Sequence, residues 1–141
     1  MGRTGLRVTL ATLLRNKSRI ATLTEKQWDT VIPQARSSGL LARLGLWARS
    51  LDNYVAVPRR PRNHLNAAVI LAEKHRRDVL YELDRIREII GERVGTIVLL
   101  KGAAYLAAGL PPSAGRTFND IDILVPENTI AGAEALLRFA G

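Results

Sequence analysis

The sequence predicts an α+β fold, with a mostly helical front followed by a β-α-β-α segment. Three observations carry this. Helical periodicity begins near Leu65 and persists for about 28 residues. Two short apolar runs, Thr96–Leu100 and Asp120–Val125, are rich in β-branched residues, which suits buried strands. Glycines and prolines separate these runs from short helical patterns. The chain has 141 residues, 47% of them hydrophobic, enough for about one domain with a buried core.

The elements follow in order. The first 23 residues carry five basic groups and no acid, with an apolar stretch from Val8 to Leu14. Arg15-Asn16-Lys17-Ser18-Arg19 follows where a signal peptide would need small residues for cleavage. The segment therefore reads as an amphipathic helix or a frayed terminus rather than a secretory or transit signal. Thr24 with Gln27 three residues on is a capping-box pattern. Trp28, Val31 and Ile32 then form an apolar stripe, and Pro33 marks a kink or early end. After Ser37-Ser38-Gly39, the helical spacing of Leu40, Leu41, Leu44 and Trp47 predicts a second short helix. Both tryptophans read as core residues.

Val57-Pro58-Arg59-Arg60-Pro61-Arg62 reads as an extended break, with Asn63 as the next N-cap. This divides a basic helical region, residues 1–62, from residues 63–141, which hold the long helix and the β-α-β-α segment. Leu65, Val69, Ala72, Val79, Leu83, Ile86 and Ile90 lie on one face of that helix, which ends at Gly91. The opposite face is charged, and His64 and His75 fall outside any metal-ligand spacing, so both read as surface residues. Thr96–Leu100 is the first strand, Ala103–Ala108 a short helix, Asp120–Val125 the second strand, and Thr129–Phe139 a final amphipathic helix.

Composition excludes several functions. Without cysteine there are no disulfides and no thiolate metal sites, which fits a reducing, cytoplasmic location. No apolar run approaches the ~20 residues of a membrane span. The net charge of +8 is concentrated at the front, where residues 1–62 carry twelve Lys and Arg against three Asp and Glu. That front could meet nucleic acid, anionic lipid or nucleotide phosphates, although a solvated Arg-rich surface is the simpler account.

The chemistry concentrates in the second half. Alternation along a strand puts Asp120 and Asp122 on one face and turns Ile121 and Ile123 to the core. Two neighbouring carboxylates repel unless a cation lies between them, and oxygen-only ligands suit Mg2+. A strand running into Lys101-Gly102 and then a helix is a common setting for an anion, because free N–H groups and the helix dipole face it. Arg116, four residues before Asp120, would clamp a phosphate or pair with the carboxylates.

Taken together, Leu99-Leu100-Lys101-Gly102-Ala103-Ala104, then Arg116, then Asp120-Ile121-Asp122-Ile123-Leu124-Val125 resembles the uncharacterised nucleotidyltransferase family of the DNA polymerase β-like superfamily. The likeness covers residues 57–141 and extends more loosely over residues 24–50. It departs from the wider superfamily, where Gly-Ser follows the first strand, and the spacing from Gly102 to Asp120 is longer than usual there.

The resemblance implies the start of a polymerase β-like core with a small mixed sheet. It also implies two-metal phosphoryl transfer: Asp120 and Asp122 as catalytic metal ligands, Lys101, Gly102 and Arg116 as nucleotide-binding residues, and Mg2+ as cofactor. An NTP would be the substrate, and a protein, small molecule or nucleic acid would supply the acceptor hydroxyl. Such enzymes carry a third carboxylate on a later strand, but after Asp122 the acids are Glu127 in a turn and Glu134 in the last helix. The expectation is a truncated member whose unfinished sheet edge favours self-association. Two other readings stand beside the enzyme. One is an inactive homologue that binds nucleotide or protein, and the other, which rests on charge alone, is a basic nucleic-acid binder.

Overall fold

Thr24 caps its helix as its spacing predicts. Its side chain accepts the Gln27 N–H at 3.4 Å, and the Gln27 side chain returns a contact to the Thr24 N–H at 2.9 Å. The computed structural model describes residues 9–141; Arg3, Arg7 and the start of the apolar Val8–Leu14 stretch lie outside the described residues. The elements are α1 (Leu10–Arg15), α2 (Glu25–Ser37), α3 (Leu41–Arg49), α4 (Arg59–Val94), β1 (Val98–Leu99), α5 (Lys101–Ala107), β2 (Ile123–Leu124) and α6 (Ile130–Ala140). The class is α+β, mostly helical. The chain forms two compact units, Met1–Glu73 and Lys74–Gly141.

In the first unit, Leu13, Ile20, Trp28, Val31, Leu44 and Leu65 are almost fully enclosed. Trp47 is half-buried against them, with the Lys17 ammonium 4.3 Å from its ring centroid. Burying a large apolar side chain is worth about 1.5–3 kcal/mol, so this cluster is the unit's main support. Polar ties fix its rim. The Leu10 N–H donates to Gln34 Oε1 at 2.9 Å, and Asn66 Oδ1 accepts from Arg49 and from the Tyr54 hydroxyl at 2.7 Å. α3 lies close against the start of α4 because Gly45 has no side chain; a Cβ there would sit 2.9 Å from the Leu65 carbonyl oxygen and 2.8 Å from Val69 Cγ2.

Three proline and glycine expectations are corrected here. Pro33 lies inside α2, which runs on to Ser37. Residues 57–62 are not an extended break, since α4 begins at Arg59 and takes in Pro61. Pro61 is the third helical residue, where the N–H has no partner inside the helix in any case. The first bond runs from the Arg62 N–H to the Pro58 carbonyl at 3.0 Å. At the other end α4 passes through Gly91 and stops at Gly95, whose φ of +75° reverses the chain. His64 is also no simple surface residue. It is half-buried and its Nδ1 accepts from the Arg36 guanidinium at 3.3 Å.

The second unit has a thinner centre. Ile90, Val94 and Ala133 are buried, with Ile86, Ile89, Ile97, Ile123, Val125 and Leu137 packed around them. The sheet expected to be mixed is a single antiparallel pair among the described residues, with Val98 opposite Leu124 and Leu99 opposite Ile123. Each strand keeps two residues rather than the five or six of its run. No helix among the described residues is long and apolar enough to cross a membrane.

Candidate functional site

The antiparallel pairing brings the Lys-Gly corner and the Asp-Ile-Asp segment together. Beyond the last paired residues, the Leu100 N–H donates to the Asp122 carbonyl at 3.0 Å. Ile123 packs with the buried cluster of α4 and α6. Alternation therefore leaves Val98, Leu124 and Asp122 on the opposite face of the pair. Val98 and Leu124 are exposed there, while Asp122 is partly covered.

At Leu100 the chain turns from strand into helix. Lys101, the first residue of α5, has φ +50°. A residue with a Cβ pays about 1–2 kcal/mol to hold that left-handed conformation. From this corner its side chain reaches Asp122, with Nζ 2.9 Å from Oδ2. The hydrogen bond and charge of Asp122, helped by the charge of Asp120, raise the Lys101 amine above the ordinary lysine range. The acids thus already face a cation, supplied by the chain itself. The carboxylate oxygens of Asp120 and Asp122 are of the donor type that Mg2+ takes.

Gly102 has a steric reason for its identity. A Cβ at this position would lie 2.9 Å from two carbons of the Phe118 ring, so the ring rests directly on the glycine. Phe118 is held in turn by α4. Its N–H donates to His75 Nε2 at 3.3 Å, and the two rings meet edge to face at 5.2 Å. His75 is therefore not the surface residue expected from spacing; it is half-buried and anchors the segment that carries Asp120 two residues later. A small cavity of about 130 Å3 lies alongside, lined by His75, Asp78, Glu82, Phe118, Asn119 and Asp120. Sequence reasoning missed Phe118 and His75, which are 43 residues apart and share no periodic or motif signal.

Arg116 takes a different place from Lys101. Its N–H donates to the Ser113 carbonyl at 3.1 Å and its side chain is exposed. Among the described residues it forms no ion pair with Asp120 or Asp122. The pairing role open to Arg116 is filled by Lys101 instead. Of the later acids, Glu127 lies in the 3-10 turn after β2, and Glu134 faces Arg138 on α6 at 3.8 Å. No group of three metal-ligating side chains occurs among the described residues.

The family described as an uncharacterised nucleotidyltransferase matches the chain over residues 24–141. No curated protein and no solved structure matches it.

Proposed function

The chain belongs to this uncharacterised nucleotidyltransferase family, and from that membership we propose that it moves a nucleoside monophosphate from an NTP to a hydroxyl acceptor, using Mg2+ held by Asp120 and Asp122. The observation that supports the proposal is the Asp122 carboxylate, set on the sheet's open face and already paired with a cationic group, Lys101 Nζ at 2.9 Å. Mg2+ at these acids would neutralise triphosphate charge and make the α-phosphorus a better electrophile.

The chain's own residues account for the rest. Asp120 and Asp122 fix the direction from which the triphosphate approaches. The ammonium of Lys101 and the exposed guanidinium of Arg116 offset charge on the β- and γ-phosphates. Gly102, buried under the Phe118 ring, lets the first turn of α5 pack close to the Asp-Ile-Asp segment that the nucleotide would meet. The acceptor oxygen forms its bond to the α-phosphorus as the bond to the bridging oxygen breaks. The electron pair leaves with pyrophosphate, and the acceptor's proton passes to solvent. Such a reaction draws on positioning and electrostatics more than on covalent catalysis.

The test is pyrophosphate release from each of the four NTPs in the presence of Mg2+, together with NTP binding. Asp120→Asn and Asp122→Asn should each lower Mg2+-dependent turnover by about a hundredfold or more, equivalent to ~2.7 kcal/mol of transition-state stabilisation. Turnover or Mg2+-dependent binding that survives both substitutions refutes the proposal. Binding with no turnover in the unaltered chain would instead favour a nucleotide-binding relative.

A further inference from the structure

Among the described residues, Lys101 is the one non-glycine residue with a positive φ. Glycine or asparagine would take this corner at less cost. What the lysine adds is an amine that folds back onto Asp122, with Nζ 2.9 Å from Oδ2. The Asp122 backbone is tied to Leu100 at the same point, so its carboxylate cannot retreat far. Lys101 is the more mobile partner, with its side chain 72% exposed against 33% for Asp122.

We infer that Lys101 is a resident counter-ion for Asp122: a divalent cation reaches that carboxylate by expelling the ammonium, which is then free to meet the phosphates of a nucleotide. This rests on reading Asp120 and Asp122 as the metal ligands. Sharing of Oδ2 is electrostatically unfavourable. A metal about 2.1 Å from Oδ2 would lie within about 5 Å of an ammonium still bound to the same oxygen. A divalent charge at that range repels the ammonium twice as strongly as a monovalent one would, which outweighs the small return of an exposed ion pair.

Charge balance sets the order of events. With Lys101 in place, the two acids and the amine leave a single negative charge, a weak attractor for free metal. With a divalent cation bound, the three groups and the metal carry a net positive charge, which attracts a triphosphate. Lys101 therefore discourages metal from binding alone and favours metal arriving with nucleotide.

Two measurements test this on the whole chain. The first is Mn2+ titration, followed by electron paramagnetic resonance, of the unaltered chain, Lys101→Met, and the double variant Asp120→Asn/Asp122→Asn. The second is the rate of acetylation of the Lys101 amine, read by mass spectrometry with and without Mg2+. Lys101→Met should bind free Mn2+ about five- to tenfold more tightly. Mg2+ should speed acetylation of Lys101 in the unaltered chain to the rate that Asp122→Asn shows without metal. Equal Mn2+ affinity in the unaltered chain and Lys101→Met, or acetylation indifferent to Mg2+, overturns the inference while the metal-site reading stands. Mn2+ binding that persists in the double variant, or is absent from all three proteins, overturns that reading and the inference with it.

Discussion

The two compact units are built on different terms. Among the described residues, the first gathers thirteen buried side chains into one cluster, while the cluster of the second holds three with a partly covered ring around them. The second unit also exposes Val98, Leu100, Leu124 and Phe139, and it carries both candidate carboxylates. The first unit is organised for stability. In the second, burial is given up around the sheet whose open face presents the polar groups, and that is where chemistry needs access to solvent and ligand.

The largest expected effect follows from that contrast. Trp28→Ala removes a fully buried ring from the well-packed cluster and should cost about 3–5 kcal/mol in urea unfolding. Ile90→Ala in the second unit should cost nearer ~2 kcal/mol, because its partly wet surroundings relax around the gap. Equal losses would erase the distinction.

Gly45→Ala and Gly102→Ala make the next comparison, since both introduce a Cβ closer than 3.0 Å to a neighbour. At Gly45 one neighbour is backbone, so α3 itself must move; about 2–3 kcal/mol should be lost. At Gly102 the neighbour is the Phe118 ring, which can swing away. The expected global cost is about 1 kcal/mol, with displacement of the Phe118 ring visible in its NMR shifts.

His75→Ala is more local still. Loss of the acceptor for the Phe118 N–H should speed hydrogen exchange of that amide about fivefold, or ~1 kcal/mol. His75→Gln, which keeps an acceptor, should restore part of the protection. Unchanged exchange would mean that α4 does not anchor the Asp120 segment.

The smallest effects are those of pH, and the two units of charge involved have opposite signs. The Lys101 amine is raised by Asp122, so the pair's contribution is complete below the unfolded lysine value and is lost as pH rises through the folded one. Asp78 is lowered by its hydrogen bond from Lys74, so its contribution is present above the unfolded carboxylate value and is lost as pH falls through the folded one. Thermal melts across both ranges should show shallow declines at alkaline and acidic extremes, and Lys101→Met should remove the alkaline one.

Local signals were legible in the sequence. The capping box at Thr24, the break before α3, the positions of both strands and the course of α6 all follow from patterns within a few residues. Proline was misjudged at Pro61, which is harmless in a first turn; at Pro33 the early end did not occur, since α2 continues past it. Gly91 read as a stop, yet termination needed the positive φ that Gly95 adopts. At the candidate site, alternation identified Ile123 as a core-facing residue, and the pairing set Leu124 opposite Val98 on the exposed face. The partner of Asp122 was not legible, since Lys101 reaches it through an antiparallel pairing and a left-handed corner that spacing does not encode. The contact of His75 with Phe118 is likewise tertiary.

The left-handed corner has a further consequence for the substitutions that position 101 accepts. Replacements there should rank by backbone freedom before charge. Glycine and asparagine should express and melt at least as well as the native residue, while valine, isoleucine and threonine should be poorest. A folding screen and a ligand-binding screen of the same library would then disagree most sharply at this one codon. Selection for folding alone would drift away from lysine here, so its persistence would have to be explained by what the finished protein does.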